Sequence, residues 1–156
     1  MLGQSFGRYH ITEQLGEGGM ATVYKAYDTQ LERDVAIKFI RDEKLSSKQS
    51  GTFIKRFKRE IQALIKLSHP NILTVLDYGE HEGQLYLVTE FMPGGTLKEK
   101  LGKPTPPSEA ASLLLPIARA LDFAHSQGII HRDIKPANIL ISKSNLPILS
   151  DFGIAK

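Results

Sequence analysis

Residues 131–153 read HRDIKPANILISKSNLPILSDFG, with two short apolar runs set between polar clusters. The runs at 138–141 and 147–149 have the composition of β-strands, and the polar residues between them favour a turn. A tight hairpin of this length would bring Asn138 and Asp151 side by side at one end. Amide and carboxylate oxygens are ligands that a hard cation such as Mg²⁺ prefers. The pattern therefore predicts a divalent-cation site there, with Asp133 one turn away as a candidate proton acceptor.

The triplets HRD and DFG stand in this order within the stretch, with Asn138 between them. Together they resemble the catalytic loop and the metal-binding motif of eukaryotic-type protein kinases. The resemblance implies that Asp133 orients the substrate hydroxyl and accepts its proton, and that Asn138 and Asp151 hold Mg²⁺ on the phosphates of ATP. It also implies that Lys135 is the lysine of the Ser/Thr-kinase loop, which steadies the transferred phosphate. The alternative interpretation is a polar hairpin with a solvated turn.

A glycine-rich turn near the start of the chain points to phosphate binding, and it contains Gly16, Gly18 and Gly19. It lies among three segments with strand-like alternation: 9–17, 20–27 and 34–41. A dinucleotide-binding fingerprint needs its glycines between a strand and a helix, so a hairpin placement argues against that fold. The turn resembles the glycine-rich loop of protein kinases, with Val23 in register and Ala21 in place of the third glycine. A plain β-turn is the alternative.

Lys38 closes the apolar run VAIK, where a lone charge would be costly to bury. By resemblance it is the lysine that grips the α- and β-phosphates, and the alternative is a lysine with its tip in water. Residues 52–67 carry helical periodicity, and Glu60 borders the apolar face. The kinase resemblance makes Glu60 the partner of Lys38. An exposed Arg56–Glu60 pair at i,i+4 is the alternative.

Two further strands, 72–78 and 84–91, complete a predicted five-stranded antiparallel sheet with one helix. The stretch TEFMPGG at 89–95 breaks the strand pattern and resembles the kinase hinge. The resemblance implies backbone contacts with adenine from Glu90 to Met92, with Thr89 controlling access behind the purine. The predicted nucleotide-binding residues are Leu15, Gly16, Gly18, Gly19, Val23, Ala36, Lys38, Thr89, Glu90, Met92 and Leu140. The predicted domains are an N-lobe at 1–91, a hinge at 92–95 and a partial C-lobe at 96–156.

The C-lobe segment is predicted to be helical. A short helix at 96–101 is followed by a long one at 108–127, with Ser108 as N-cap and Gly128 as a left-handed end. Pro116 lies inside the long helix, where we expect one kinked helix rather than two. The predicted buried face comprises Leu114, Ile117, Ala118, Leu121 and Ala124. Apolar residues extend beyond this face, so we expect the 156-residue chain to be marginally stable or to self-associate.

Composition excludes several classes of protein. The 156 residues include no cysteine, which excludes disulfides and thiolate zinc sites, and the net charge of +3 is too small to argue for nucleic acid. No apolar run approaches the ~20 residues of a membrane span, and the first residues lack a signal-peptide core. We therefore expect a cytoplasmic location, with a membrane anchor beyond residue 156 left open.

The sequence thus predicts an α+β, protein-kinase-like fold consisting of the N-lobe, hinge and start of a helical C-lobe. The expected function is transfer of the γ-phosphoryl group from ATP, with Mg²⁺, to a Ser or Thr hydroxyl of a protein substrate. Little transfer is expected from this chain, which stops soon after DFG. The first alternative is a nucleotide-binding chain without catalysis. The second is a small-molecule kinase of the aminoglycoside or choline type, which Arg132 and the residues after Asp151 disfavour.

Overall fold

The structure, a computed structural model, describes residues 2–19, 21–41, 50–102 and 104–153. The predicted polar loop at 44–49 lies outside them, as does Met20 at the start of the second predicted strand. The chain forms two compact units. Among the described residues, the first unit contains 2–65 and Val75–Phe91, and the second contains Lys66–Thr74 and 92–153.

The first unit is built on a single antiparallel sheet. Its strands are β1 (Ser5–Phe6), β2 (Tyr9–Glu17), β3 (Ala21–Asp28), β4 (Arg33–Ile40), β5 (Val75–His81) and β6 (Gln84–Glu90). They lie in the order β1-β2-β3-β4-β6-β5. The prediction of five strands was therefore one short. The missed strand β1 pairs only Ser5 with His10 and Phe6 with Tyr9, and two residues are too short to show an alternating pattern.

One face of this sheet carries the hydrophobic core of the unit. Its buried members are Phe6, Tyr9, Ile11, Ala26, Val35, Ile37, Phe39 and Val88. Helix α1 (Ser50–Ile65) packs against β5, with Phe57 and Ile61 fully buried. The predicted helix at 52–67 is thus present, displaced by two residues at each end.

The prediction of a strand at 72–78 was wrong in its position. The strand begins at Val75, because Ile72 and Leu73 belong to the second unit. Ile72 forms a parallel bridge with Leu149, and the amide of Leu73 donates to the carbonyl of Leu149 at 2.9 Å. Ile72 and Leu73 are therefore apolar because they pack in the second unit against Leu149, and not because they belong to the first sheet as the pattern suggested.

The second unit combines helices with a small hairpin. Helix α2 (Leu97–Lys100) begins with a capping box between Thr96 and Glu99, and helix α3 spans Pro107–Ser126. A 3-10 helix of one turn (Pro136–Asn138) leads into β7 (Ile139–Ile141), which pairs with β8 (Pro147–Leu149). The predicted hairpin is therefore present, and its first strand begins one residue later than predicted because Asn138 ends the 3-10 turn. Within the described residues, no helix is both long and apolar enough to span a membrane.

The two ends of α3 differ from each other in how well the sequence predicted them. Ser108 is not the N-cap: the cap is Pro106, because Pro107 has a backbone already suited to the first helical position. The other end is as predicted, with Gly128 at a φ of +75°. The amides of Gly128 and Ile129 donate to the carbonyls of His125 and Ala124, the pattern of a Schellman cap.

Helix α3 continues without a break through Pro116, as predicted. Its buried residues are Ile117, Ala120 and Ala124, whereas Leu114 is 54% exposed and Ala118 is also exposed. The prediction that Leu114 and Ala118 share the buried face was therefore wrong. Within the described chain, α3 packs on β8 along one narrow stripe, so the residues on either side of that stripe meet solvent.

Candidate active site

A cluster of three polar side chains follows the HRD triplet in the second unit. The side-chain nitrogen of Asn138, Nδ2, donates to the backbone carbonyl of Asp133 at 2.8 Å and to Asp133 Oδ2 at 3.0 Å. Lys135 Nζ lies 2.9 Å from the same Oδ2. In the 3-10 turn, the backbone N–H of Asn138 donates to the carbonyl of Lys135 at 2.9 Å. This turn brings the three side chains together. The carboxylate orientation of Asp133 is thus fixed from two sides.

The hairpin carries Asp151 to the same end as Asn138. Ile139 pairs with Leu149 across the hairpin. Next to this pair, the backbone N–H and the hydroxyl of Ser150 both donate to the carbonyl of Asn138, at 2.9 and 3.0 Å. Asp151 is the next residue and is exposed. The expectation that a tight hairpin places Asn138 and Asp151 at one end is therefore met in the backbone.

One residue of the HRD triplet and one of the DFG triplet adopt the left-handed backbone that side chains other than glycine rarely take. Arg132 has a φ of +68° and Asp151 a φ of +56°. Such conformations are held only where the surroundings enforce them, and they concentrate at functional sites. In this unit the enforcing contacts come from His131, which lies between the two segments.

His131 ties the HRD segment to the DFG segment. Its ring is buried, Nε2 lies 2.7 Å from the Ser150 carbonyl, and Nδ1 lies 3.2 Å from the amide of Asp133. Because Nδ1 accepts from a backbone N–H, the proton resides on Nε2 and is donated to Ser150. Burial lowers the pKa of the imidazole below its ordinary value, against the opposing effect of the Ser150 hydrogen bond.

The connection between these segments is reinforced by Phe152 and Gly153. The Phe152 ring lies 4.5 Å from the His131 ring, and the amide of Gly153 donates to the His131 carbonyl at 3.0 Å. Sequence reasoning noted His131 only as a letter of the motif. Its position directly after the apolar pair Ile129–Ile130 was the one signal that its side chain enters the core.

In the first unit, five of the predicted nucleotide-binding residues lie on the face of the sheet opposite its core: Gly16, Val23, Ala36, Lys38 and Thr89. Residues directly across an antiparallel pair point to the same side. One row across the strands contains Gly16, Val23, Lys38 and Leu87, and the next contains Lys25, Ala36 and Thr89. The register therefore places Lys38, Ala36 and Thr89 together on one surface, which the sequence pattern alone did not establish.

The glycine-rich turn connects β2 to β3 on this sheet. The amide of Gly18 donates to the carbonyl of Ala21 at 2.9 Å. A Cβ on Gly16 or Gly19 would have no neighbour within 4 Å, and neither residue has a left-handed φ. The described parts of the chain thus give no local reason for glycine here, whereas close approach of a phosphate to the backbone would supply one. Leu15, also predicted to contact the nucleotide, is exposed where the β2–β3 register shifts.

Glu60 on α1 forms the contact that the sequence offered as an alternative. Arg56 Nε lies 2.9 Å from Glu60 Oε1. The second carboxylate oxygen, Oε2, is buried and has no hydrogen-bond partner among the residues that the structure describes. The structure thus shows the i,i+4 pair, and the pairing of Glu60 with Lys38 stays a prediction.

The residues of the predicted hinge fall on both sides of the boundary between the two units. Thr89 is buried, and Glu90 ends β6 opposite Val35. In the second unit, the amide of Gly94 donates to the Ile141 carbonyl at 3.0 Å, and a Cβ at Gly94 would overlap that carbonyl. This close approach explains the glycine and aligns the chain after Met92 with β7, which contains the half-buried Leu140.

The donor set at the hairpin is suited to Mg²⁺ rather than to a transition metal. Across the described ranges there is no group of three or more His, Cys, Asp or Glu side chains that could enclose a metal ion. Mg²⁺ is commonly bound through one or two protein oxygens, with phosphate oxygens and water completing its six ligands. The amide of Asn138 and the carboxylate of Asp151 fit that pattern.

Comparison with known proteins agrees with this geometry. The family model described as protein kinase domain matches residues 9–156. The probable serine/threonine-protein kinase PknB of Lactococcus lactis is 46% identical over 159 residues, which cover 99% of this chain and 25% of the relative. The serine/threonine-protein kinase PrkC of Bacillus subtilis is 44% identical over 151 residues, covering 96% of this chain and 23% of the relative. The chain therefore spans about a quarter of the length of these relatives.

Solved structures give the same result. The crystal structure of the Mycobacterium tuberculosis PknI kinase domain matches with a TM-score of 0.82 at 31% identity, covering 99% of this chain and 63% of that chain. These relatives and this structure are protein kinases, as the HRD and DFG triplets predicted. This chain belongs to the protein kinase domain family, and the relatives that it matches are bacterial Ser/Thr kinases.

Proposed function

We propose that the chain binds ATP with Mg²⁺ and contributes the residues that transfer the γ-phosphoryl group to a Ser or Thr hydroxyl of a protein. The observation that carries this proposal is the convergence of Asn138 and Lys135 on one oxygen of Asp133, at 3.0 and 2.9 Å. A carboxylate held in one orientation by a cation and an amide is what a residue needs in order to align a hydroxyl and accept its proton.

Each residue of the hairpin region has a distinct role in this proposal. Asp133 is the general base, and Lys135 supplies positive charge beside the transferred group. Asn138 uses its amide nitrogen on Asp133, which leaves its side-chain oxygen for the cation. Asp151 supplies the second protein oxygen. Bound Mg²⁺ neutralises phosphate charge and holds the phosphates in position.

The sheet supplies the remaining contacts. Because Gly16, Gly18 and Gly19 have no side chains, phosphate can approach the backbone of the turn closely, although the Gly18 amide already donates to the Ala21 carbonyl. Lys38 provides the positive charge for the α- and β-phosphates, and Glu60 is its proposed partner. Ala36, on the same face as Lys38, gives the purine an apolar surface, and the backbone from Glu90 to Met92 provides its hydrogen-bonding groups.

The proposal is tested first by binding. Titration calorimetry of the chain with MgATP should give saturable binding that Lys38→Met and Asp151→Asn each weaken by at least roughly tenfold, since charge-assisted contacts contribute about 1.5–3 kcal/mol. Asp133→Asn should leave the Kd within about twofold, because Asp133 acts on the hydroxyl rather than on the nucleotide. Lys143→Met, in the exposed turn of the hairpin, is the matched control for loss of one charge.

Transfer is measured separately, with γ-labelled ATP and a protein acceptor rich in Ser and Thr. Label that appears on the acceptor and is lost in Asp133→Asn would support the assigned base. Absence of MgATP binding by the unaltered chain would refute the proposal as a whole. Binding without transfer by the 156 residues would leave a nucleotide-binding chain; the catalytic part would be refuted by a chain extended over a complete kinase domain that binds MgATP and transfers no label.

A further inference from the structure

Lys25 occupies a position on the nucleotide face that the family motifs do not account for. It lies on β3, directly across from Ala36, which in turn lies across from Thr89 on β6. Its ammonium is 2.9 Å from Asp34 Oδ2 and 4.8 Å from the centroid of the Phe91 ring. One half-buried cation therefore contacts both an acid on β4 and an aromatic ring directly after β6.

These two contacts draw the charge of Lys25 toward one end of the sheet. Asp34 lies two residues before Ala36 on the same face, on the side away from Lys38. The ammonium therefore sits beyond the Ala36 row rather than over it, while the aliphatic part of the side chain stays beside that row. The surface around Ala36 is left apolar, as a purine requires.

The contact with Phe91 fixes a segment that the sheet does not hold. The β4–β6 pairing ends at Val35 with Glu90, so the backbone of Phe91 has no partner in the ladder. An ammonium over an aromatic face is attractive, and the attraction is stronger where the pair is shielded from water. The ring of Phe91 is thus the anchor of the backbone that precedes Met92.

We propose that Lys25 is a positioning residue for adenine recognition, which it serves by holding the Phe91 ring and with it the backbone from Glu90 to Met92. The inference rests on the proposed nucleotide-binding function and adds a residue to it. Lys25 does not touch the phosphates in this proposal. Its effect is confined to the part of the ligand that contains the base.

Three ligands separate this role from a general charge effect: adenosine, MgATP and magnesium tripolyphosphate. Their dissociation constants are measured by calorimetry on the 156-residue chain and on Lys25→Met. We expect adenosine and MgATP to bind more weakly by the same factor, roughly three- to tenfold, and tripolyphosphate to bind with unchanged affinity. Lys143→Met, which removes one exposed charge from the β7–β8 turn, should change none of the three.

Two further variants test the route through the ring. Phe91→Leu keeps an apolar side chain but removes the π face, and it should weaken adenosine binding by a similar factor. The double variant with Lys25→Met should be no weaker than either single variant, because both remove the same contact. Asp34→Asn keeps the lysine and the ring and should give a smaller loss. Circular dichroism of each variant verifies that the fold is retained.

The outcomes are distinguishable. Equal weakening of tripolyphosphate and MgATP in Lys25→Met, with adenosine unchanged, would show a long-range charge effect and overturn the positioning role. Unchanged adenosine binding in both Lys25→Met and Phe91→Leu would overturn it as well, while the proposed function stood. Failure of the unaltered chain to bind both adenosine and MgATP would instead count against the proposed function.

Discussion

Replacing His131 with Phe should destabilise the second unit, although it preserves most of the volume of the buried ring. The imidazole donates from Nε2 to the Ser150 carbonyl at 2.7 Å and accepts from the amide of Asp133 at 3.2 Å. Phenylalanine can make neither hydrogen bond. It retains an aromatic ring beside Phe152, so the stacking contact is nearly unchanged.

The magnitude follows from the two groups that lose their partner. Ser150 is 5% exposed, so its unpaired carbonyl should cost about 1–3 kcal/mol. The amide of Asp133 is only partly buried, and about 1 kcal/mol is appropriate there. The expected loss in the free energy of unfolding is therefore about 2–4 kcal/mol for His131→Phe. His131→Ala also leaves a cavity and should lose roughly 2 kcal/mol more.

The chain contains no tryptophan, so urea unfolding is best followed by far-ultraviolet circular dichroism. Ser144→Ala, in the exposed turn between β7 and β8, serves as the matched control and should remain within about 0.5 kcal/mol of the unaltered chain. If His131→Phe also remained within that margin, the two hydrogen bonds would not stabilise the HRD and DFG segments. The account of how Arg132 and Asp151 keep their left-handed backbone would then fail.

Three further predictions concern acid sensitivity, a helix end and an exposed surface. Burial lowers the pKa of His131 in the folded chain, so the unfolded chain takes up the proton first as the pH falls below about 6.5. The stability that this group contributes is therefore complete above that pH and declines below it. Urea titrations from pH 7.5 to 5 should show a steeper decline for the unaltered chain than for His131→Phe. Gly128→Ala should lower the free energy of unfolding by about 1 kcal/mol, because Gly128 has a φ of +75°. Gly102 has neither a left-handed φ nor a neighbour within 4 Å, so Gly102→Ala should show no such loss in the same urea assay. Leu114 and Leu115 are 54% and 53% exposed. Replacing both with Glu should reduce self-association, measured by sedimentation velocity, without reducing the free energy of unfolding. An unaltered chain that sediments as a monomer at all concentrations would contradict this expectation.

The sequence predicted most reliably those parts of the fold that depend on local pattern. The hairpin at 139–141 and 147–149 agrees with the predicted runs at 138–141 and 147–149 to within one residue, because two apolar runs and one polar turn leave a single register. Gly128 was identified as a left-handed cap because it follows the last helical residues, where glycine is the usual choice. The triplets HRD and DFG identified the family for a different reason, since they resemble known motifs.

The failures share a physical cause, which is that the partner of an apolar residue cannot be read from its neighbours in sequence. Ile72 was predicted to begin a strand of the first sheet, but it pairs with Leu149. Leu114 was predicted to be buried because it follows the helical period, but α3 packs on β8 along a stripe centred on Ile117 and Ala120. Periodicity gives the face of an element, whereas burial depends on what covers that face.

The chemistry of the hairpin region also explains why an amide, and not a third carboxylate, stands at position 138. Asn138 lies 3.0 Å from Asp133 Oδ2 through its amide nitrogen, and it donates to the Asp133 carbonyl from the same atom. A carboxylate there would place two like charges about as far apart as the aspartates of acid proteases, and one of the pair would hold its proton to a higher pH than an isolated carboxyl does. A protonated Asp133 could not accept a proton from a hydroxyl. An amide avoids this conflict because its nitrogen orients Asp133 while its oxygen remains an acceptor for a cation, so one neutral side chain can serve both the proposed general base and the proposed metal site.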